Sequence, residues 1–507
     1  MDVTSRAQSD DMAPPSLEIP DTSSDELNAI VFAATAASQD PQLGARTDRA
    51  SMLSALADTL ESHADELVDL AQQETRLPRT RLHGEITRTA FQLREFSAAV
   101  LEGSYLEATI DSPAQTPMGP RPDLRRMLVP LGVVAVYSAS NFPFAFSVLG
   151  GDTASALAAG NPVVVKAHPG HPRTSQKVVE LAAEVLSHLG WHPGTITLVH
   201  GFDAGTALIQ HPSVRAGAFT GSVHGGQALA REAALREEPI PFYGELGSLN
   251  PVFATQQAVT ERGSEFGQGV AASVLQSGGQ LCTKPGLVLI PTGQAGDTMI
   301  EHITSDMSEA QAFPALTSVM ASGYARGATS RSQQGTVLAV GKDASEGSNQ
   351  ATVIEVHAED AREELLEECF GPLVVVVRYS SNDEALSVAN RLRGSLTATL
   401  LTGATEDISA SPMFSALSRR AGRVLINDYP TGVAVSWAQH HGGPWPSTNS
   451  LHSSVGMTAT RRFLRPMVWQ NAPQHALPSE LQDHSADVPT RVNGTLTGSV
   501  TEPSRHR

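Results

Sequence analysis

Cysteine is scarce in this sequence of 507 residues, which contains only Cys282 and Cys369. Two thiols cannot form the disulfide framework of a small secreted domain, and they are too few for a cysteine-rich metal site. We therefore expect no metal site and a reducing, cytoplasmic environment for the chain.

Positive charge is also in short supply. Aspartate and glutamate number 53 against 35 lysines and arginines, which gives a formal net charge of −18. Attraction to the phosphates of nucleic acids or anionic membranes needs basic surface, so we expect neither as a general partner. The basic residues include only four lysines, at Lys166, Lys177, Lys284 and Lys342.

The sequence gives no sign of a membrane or export segment. One uncharged run, residues 127–151, is long enough to span a bilayer, but Pro130, Pro143 and a central polar group interrupt it. A strand, a turn and a buried helix start explain it better. Residues 1–22 have acids and no apolar core, so they do not resemble a signal peptide and are expected to be disordered.

Alternating strand and helix patterns indicate the fold class. With 40% apolar residues the chain can bury a large core, and residues 25–101 have helical spacing of apolar residues. Four short apolar or β-branched runs, each followed by a helical pattern, then occupy residues 133–138, 162–167, 195–200 and 216–221. This alternation predicts an α/β fold with a doubly wound parallel sheet, which binds ligands at the carboxyl ends of its strands.

Cys282 lies in the segment SGGQLCTKPG, among glycines that let backbone approach a ligand closely. Its thiolate is a candidate nucleophile, although a lone cysteine is more often a small buried hydrophobe. Lys284 would favour the thiolate if its side chain faced the sulfur, and the sequence leaves that direction open.

Two polar residues follow strand-like runs. Glu245, in FYGELGSLNP, suits a general base at the carboxyl end of a strand, whereas loop acids are usually solvated. Asn141, in SASNFP, could donate a hydrogen bond to a developing oxyanion, whereas the commoner role of such an asparagine is in a turn.

A glycine motif and a lysine are candidates for phosphate or ribose contacts. Gly221 and Gly226, in FTGSVHGG, follow a strand and open a helix, and free N–H groups at a helix start bind phosphate. The motif is weak by itself because the Gly-Lys-Ser/Thr of a P-loop is absent. Lys166 ends the strand PVVVK, where a nucleotide ribose could be reached or where the charge is simply solvated.

Taken together and in order, these motifs resemble the aldehyde dehydrogenase superfamily over about residues 25–470. The resemblance is carried by SNFPFAFSVLGGDTASALAAGNPVVVKAHP, FTGS, ELGSLNP, GQLCTKPG and EECFGP. SASNFPFAFS, KAHPGHP, HGGP and RRFLRP are similar to the branch of 2-oxoglutarate semialdehyde (2,5-dioxopentanoate) dehydrogenases. A bacterial NADP-dependent fatty aldehyde dehydrogenase shares many of these features, so the reaction class is implied more firmly than the substrate.

The resemblance implies catalytic roles for three residues. Cys282 would attack the aldehyde, and Asn141 with the Cys282 N–H would hold the oxyanion. Hydride transfer would leave a thioester, and Glu245 would activate the water that hydrolyses it. Relatives that transfer the acyl group to coenzyme A typically lack this glutamate, so its presence favours a free acid product.

The resemblance also implies cofactor contacts, at Lys166, Gly221, Ser222, Gly226, Glu368 and Phe370. The preferred cofactor is NADP, with NAD kept open. Pro169 stands where many NAD-preferring relatives have a glutamate, and His168 and Arg173 are near in sequence. Asp203 argues for NAD, because NADP-preferring relatives often have a basic residue in that region.

The expected architecture is a Rossmann-like cofactor domain (residues 23–110 and 131–247) and a catalytic α/β domain (residues 248–462). Bridging strands (residues 111–130 and 463–471) would join them, and residues 472–507 would form a polar, frayed tail. Exposed bridging strands invite edge pairing, so we expect a homodimer or a dimer of dimers.

The resemblance implies the reaction more firmly than it implies the aldehyde that is oxidised. We prefer 2-oxoglutarate semialdehyde because of the branch, while a fatty or other aldehyde, or a catalytically silent homologue, are the alternatives. Arg461 and Arg462 are candidates for binding a substrate carboxylate, although a structural role is preferred for a pair beside Phe463 and Pro466.

Overall fold

The computed structural model describes residues 19–343, 345, 347–485 and 487–498. Its α-helices are α1 (Ser24–Ala37), α2 (Pro41–Gly44), α3 (Arg46–Ser62), α4 (Ala64–Thr75), α5 (Arg79–Glu102), α6 (Gly151–Ala158), α7 (Pro172–His188), α8 (Phe202–Gln210), α9 (Val223–Leu235), α10 (Gln256–Leu275), α11 (Gln294–Glu309), α12 (Ser318–Ser332), α13 (Asn382–Arg391) and α14 (Pro412–Ser418). Its strands are β1 (Thr109–Asp111), β2 (Ala114–Thr116), β3 (Gly119–Arg121), β4 (Leu124–Pro130), β5 (Val133–Tyr137), β6 (Val163–Lys166), β7 (Ile196–Val199), β8 (Val214–Thr220), β9 (Phe242–Glu245), β10 (Val252–Ala254), β11 (Leu287–Pro291), β12 (Phe313–Pro314), β13 (Thr336–Val340), β14 (Ser348–Asn349), β15 (Thr352–His357), β16 (Leu373–Tyr379), β17 (Ser395–Leu401), β18 (Ala421–Ile426), β19 (Leu464–Gln470), β20 (Thr490–Val492) and β21 (Thr495–Thr497).

The amino-terminal helices begin and end at residues that suit those positions. Ser23 and Glu26 form a capping box at the start of α1, in which Glu26 accepts the Ser23 N–H at 2.8 Å. At the other end of this region, α5 stops at Gly103, whose φ of +80° suits glycine. The predicted disorder of residues 1–22 falls outside the described residues up to position 18. It is wrong for Thr22, whose N–H donates to the carbonyl of His200 at 3.0 Å.

The first sheet confirms the predicted parallel α/β fold. Its strand order is β7-β6-β5-β8-β9, and all four pairings are parallel. The strands are rich in β-branched residues because both faces are covered: β5 and the first three residues of β6 are buried. Helices α1 to α9 supply the cover, and two apolar cores fill the two sides.

The second sheet has seven strands in the order β13-β15-β16-β11-β10-β17-β18. All its pairings are parallel except that of the edge strand β13 with β15. Its central strands β16 and β17 are buried along their whole length. Helices α10 and α11 pack on one face and α13 and α14 on the other, so this unit has two further apolar cores.

A third sheet is built from distant parts of the chain in the order β19-β4-β1-β20-β21. Strand β19 pairs with β4 over seven residues, which brings together the segments predicted to bridge the two units. The prediction of a frayed tail after residue 472 is wrong for the part that the structure describes. There β20 pairs with β1, and Leu477, Leu481 and Val488 are buried.

The uncharged run at residues 127–151 is divided between β4, β5 and a loop that leads into α6. This matches the predicted strand, turn and helix start. Across the described part of the chain, no helix combines the length and the apolar character that a bilayer crossing requires.

The buried tail yields a stability prediction. Leu481 is fully buried in a cluster with Tyr105, Met127 and Val488, so Leu481→Ala is expected to lower the free energy of unfolding by about 2–5 kcal/mol. A lower midpoint of thermal denaturation would report the loss. The control is Leu496→Ala, because that side chain is 58% exposed and should change the midpoint little. Equal midpoints for the two variants would contradict the packing of the tail.

Candidate active site

A cavity of about 840 Å³ lies where the carboxyl ends of the first sheet face the second unit. Seven of the predicted site residues line it, namely Asn141, Gly221, Ser222, Glu245, Cys282, Glu368 and Phe370. Lys166 and Gly226 do not line it. The fold therefore collects residues that are far apart in sequence, as expected for the carboxyl edge of a parallel sheet.

Cys282 follows a tight turn and is held by its backbone. Gly279 has a φ of +66°, and a side chain there would collide with the backbone of Gly371. Asn250 Nδ2 donates hydrogen bonds to the carbonyl oxygens of Cys282 at 2.8 Å and Lys284 at 3.0 Å. These contacts fix the loop, and the free, half-buried Cys282 lines the cavity.

Glu245 is the last residue of β9, and its side chain is buried. Ser454 Oγ donates a hydrogen bond to Glu245 Oε2, and His441 Nε2 lies 2.9 Å from Oε1. The same imidazole nitrogen lies 3.5 Å from the Sγ atom of Cys282. Because one ring nitrogen carries at most one proton, this position suits proton transfer between the thiol and the carboxylate.

Burial and the surrounding groups give the Cys282 thiol and the Glu245 carboxyl opposite protonation states. Burial raises the pKa of Cys282, and the negative charges of Glu245 and Glu368 raise it further. Burial alone would raise the pKa of Glu245 too, but the contacts of His441 and Ser454 outweigh it and lower that pKa. At neutral pH the carboxylate is charged and the thiol protonated, so the thiol needs a base before it can attack.

Asn141 is buried beside the Cys282 loop. Its Nδ2 donates to the carbonyl of Gln280 at 3.0 Å, and its backbone carbonyl accepts from Arg81 at 2.6 Å. An amide nitrogen has two N–H donors, so one remains for a group in the cavity.

The glycine motif forms a capped helix start. Ser222 is the N-cap of α9, and its Oγ accepts the Gly225 N–H at 3.1 Å. The Gly221 N–H is already used, because it donates to the carbonyl of Glu245 at 3.0 Å. A side chain at Gly226 would collide with Leu246, so this glycine allows close packing of helix and strand rather than a cavity contact.

Lys166 ends β6, and its stem packs against Gly205 at the start of α8. Burial lowers the pKa of Lys166, and the charge of Asp21 opposes this change. The described amino-terminal segment therefore brings an acid close to the lysine, which the sequence pattern gave no reason to expect.

Glu368 faces the cavity from the second unit. Its Oε2 accepts the Ser248 N–H at 3.1 Å. Burial raises the pKa of Glu368 to about 7, although the charge of Lys284 acts in the other direction. Phe370 lines the same cavity as Glu368.

Lys284 is turned away from the nucleophile. Its Nζ donates to the carbonyl oxygens of Cys369 at 3.1 Å and Leu373 at 2.9 Å, and the side chain is 1% exposed. The side chain, whose direction the sequence left open, therefore points toward the backbone at the start of β16. Cys369 is buried within the core of the second unit, as predicted.

Three residues of the site were not identified from the sequence: His441, Ser454 and Asn250. The signal for His441 is the segment HGGP, in which it precedes two glycines and which by itself indicates only the family branch. It lies 159 residues after Cys282, and nothing in the local pattern joins the two.

The ligand atoms of Glu245, Cys282 and His441 lie within 4.8 Å of one another, close enough to share a divalent cation such as zinc. A metal there would occupy the sulfur electron pair that a nucleophile uses. The two uses of these side chains therefore compete, and the absence of a resident metal stays a prediction.

The charge of Glu245 yields a prediction for the thiol. Glu245→Gln is expected to lower the pKa of Cys282 because it removes a nearby negative charge. Alkylation of Cys282 by iodoacetamide, followed by peptide mass spectrometry over a pH series, would show the midpoint move to lower pH. Glu301→Gln, an exposed acid on α11, serves as the control. Identical midpoints would show that the Glu245 charge does not reach the thiol.

The chain is similar to known proteins over most of its length. Residues 8–463 match the sequence profile of the aldehyde dehydrogenase family. The chain is 42% identical over 445 residues to alpha-ketoglutaric semialdehyde dehydrogenase 2 of Azospirillum brasilense, covering 86% of this chain and 85% of that protein. It is 38% identical over 483 residues to the alpha-ketoglutaric semialdehyde dehydrogenase of Acinetobacter baylyi, with 93% and 92% covered.

Solved structures show the same fold. PnpE in complex with nicotinamide adenine dinucleotide matches with a TM-score of 0.75 at 26% identity, over 89% of this chain and 91% of that chain. A mutant of proline utilization A from Bradyrhizobium japonicum matches with a TM-score of 0.76 at 24% identity, over 89% of this chain. The chain spans only 45% of that second protein, and the likeness shows the fold alone.

Proposed function

The chain belongs to the aldehyde dehydrogenase family, and we propose that it oxidises an aldehyde to a carboxylic acid with a nicotinamide cofactor. The proposed substrate is 2-oxoglutarate semialdehyde, the compound in the names of both curated relatives. The observation that carries the proposal is the convergence of Cys282, Glu245 and Asn141 on one cavity, with His441 3.5 Å from the thiol.

Attack on the aldehyde begins with loss of the thiol proton. His441 Nε2 accepts this proton from Cys282, and the carboxylate of Glu245 at 2.9 Å stabilises the imidazolium that results. The thiolate then forms a carbon–sulfur bond to the aldehyde carbon. The free amide N–H of Asn141 and the backbone N–H of Cys282 hold the oxygen of this thiohemiacetal.

The residues around the cavity fit a dinucleotide. The helix start at Ser222 suits a pyrophosphate, and the Glu368 carboxylate suits ribose hydroxyls. Lys166, at the end of β6, would hold the ribose at the far end. Gly221 and Gly226 shape the helix start, and Phe370 packs near the nicotinamide end. A nicotinamide held by these residues would supply the acceptor for the hydride of the thiohemiacetal carbon.

Release of the product is a hydrolysis. Loss of hydride leaves a thioester on Cys282, whose carbonyl is still electrophilic. Glu245, charged because its pKa is lowered, takes a proton from water as the oxygen attacks that carbonyl. The carbon–sulfur bond then breaks, the carboxylic acid leaves, and the thiolate of Cys282 takes back the proton held by His441.

NADP is the proposed cofactor, and NAD is the second candidate. Pro169 lines the cavity next to His168, so no acid at that position opposes a 2′-phosphate. The charge of Asp21 near Lys166, with Asp203 in the first turn of α8, favours NAD. The ratio of kcat/KM for the two cofactors in the assay below decides between them.

The chemistry is tested with purified protein, either cofactor and a panel of aldehydes, while reduced nicotinamide is followed by absorbance. Cys282→Ala is expected to abolish turnover. Glu245→Gln is expected to leave a burst of hydride transfer but to slow the later steps, because deacylation loses its base. Cys369→Ala, which removes the other thiol, is the control and should retain turnover.

Three outcomes bear on the alternatives. Full activity of Cys282→Ala would contradict the mechanism. Turnover of fatty aldehydes without turnover of the semialdehyde would replace the proposed substrate. Absence of turnover with every aldehyde would favour the catalytically silent homologue.

We also propose a homodimer, with a dimer of dimers as the alternative. Strand β19 is the edge of the third sheet, and its Val468 is 49% exposed, so a second copy of the chain is the proposed partner for this edge. Val468→Lys is expected to shift the protein toward a monomer in size-exclusion chromatography with light scattering. Leu496→Lys, on the opposite edge, is the control. A wild-type monomer would contradict the proposal.

A further inference from the structure

Two arginines from different units converge on one short segment near the nucleophile. Arg88 on α5 donates from Nη2 to the carbonyl of Val433 at 3.4 Å. Arg423 on β18 donates to the carbonyls of Gly432 at 2.9 Å and Pro430 at 2.7 Å. Neither lines the cavity assigned to the cofactor.

Contacts connect this pair to the thiol. The guanidinium carbon of Arg88 lies 5.6 Å from the centre of the Phe146 ring, and that ring lies 6.4 Å from the ring of His441. Burial lowers the pKa of both arginines. The charges of Glu85, Cys282 and Glu245 oppose this change at Arg88, and those of Cys282 and Asp428 oppose it at Arg423. Both positive charges are therefore within electrostatic reach of the sulfur.

Neither arginine forms an ion pair with a carboxylate of the described residues. The nearby Glu85 accepts the N–H groups of Phe144 and Ala145, at 2.7 and 2.9 Å, and lies beyond ion-pair distance of Arg88. Arg88 Nη1 and Arg423 Nε are buried without an acceptor. Burial of a charged donor without a partner costs free energy, so these groups are expected to meet an anion that the chain does not supply.

The arginines considered from the sequence are already occupied. Arg462 Nη1 lies 2.7 Å from Asp152, and both side chains are buried. Arg461 lies 3.5 Å from Glu107 and is half exposed. Their charges are paired with carboxylates of the protein, whereas Arg88 and Arg423 have no carboxylate within ion-pair distance among the described residues.

We propose that Arg88 and Arg423 together bind the carboxylate of the substrate and select an aldehyde with an acidic far end. This inference rests on the proposed aldehyde oxidation. Phe142 and Phe146, with Val433, form an apolar cluster beside the Arg88 guanidinium group and are the wall for the carbon chain. A guanidinium matches a carboxylate in shape and charge, whereas a fatty aldehyde would leave both cations without a partner.

The test compares two five-carbon aldehydes, 2-oxoglutarate semialdehyde and uncharged pentanal. Arg88→Gln and Arg423→Gln are each expected to raise KM for the semialdehyde about 10- to 100-fold, with kcat much less affected, since a charge-assisted hydrogen bond is lost. kcat/KM for pentanal should stay within about twofold of wild type. Arg88→Lys should restore part of the affinity because it keeps the charge.

The control is Arg461→Gln, which should leave both substrates unaffected. Equal losses for the two aldehydes in the glutamine variants, or unchanged KM for the semialdehyde, would overturn the inference. A wild-type enzyme that oxidises pentanal as efficiently as the semialdehyde would also overturn it, while aldehyde oxidation itself would stand. Failure of the wild type with every aldehyde would instead overturn the proposed function, so the two failures are distinguishable.

Discussion

A buried carboxylate that must be paired is the constraint on which the site depends. Glu245 ends a strand of the first sheet, yet its partners His441 and Ser454 come from a segment about 200 residues later. An isolated bridge between Glu245 and Thr448 holds the same segment against the strand. A buried charge without a partner costs several kcal/mol. The positions of that segment, of the His441 imidazole and of the Cys282 thiol therefore depend on one another.

Local pattern predicts those parts of the molecule whose cause is local. The β-branched runs ending at Tyr137 and Lys166 form strands because both faces of a parallel sheet are buried. Cys282 and Glu245 were found through the order of family motifs. His441 and Asn250 were missed because their roles arise from contacts across long stretches of chain. The tail was misjudged because its polar composition hides a few apolar residues, such as Leu481, that fold back onto the third sheet.

The net charge of the chain does not describe the charges around the active site. The chain carries −18 overall, while Arg88 and Arg423, without carboxylate partners among the described residues, both donate hydrogen bonds to residues 430–433. Lys284 is close to the nucleophile in sequence, but its side chain does not contact the thiol. Its ammonium donates hydrogen bonds to backbone carbonyls at the start of β16. Position in the fold, rather than proximity in the chain, decides what each charge does.

The third sheet pairs strands that are synthesised far apart in time. Ser112 follows β1 directly and donates its N–H to Asn493, which is 381 residues later. On the ribosome, β1 and β4 therefore emerge long before β19 and β20 exist to cover their edges. Unpaired strand edges attract other chains. Strand β19, which is made long after β4, thus covers the edge of β4, and a nascent chain that lacks it leaves this edge open to other chains.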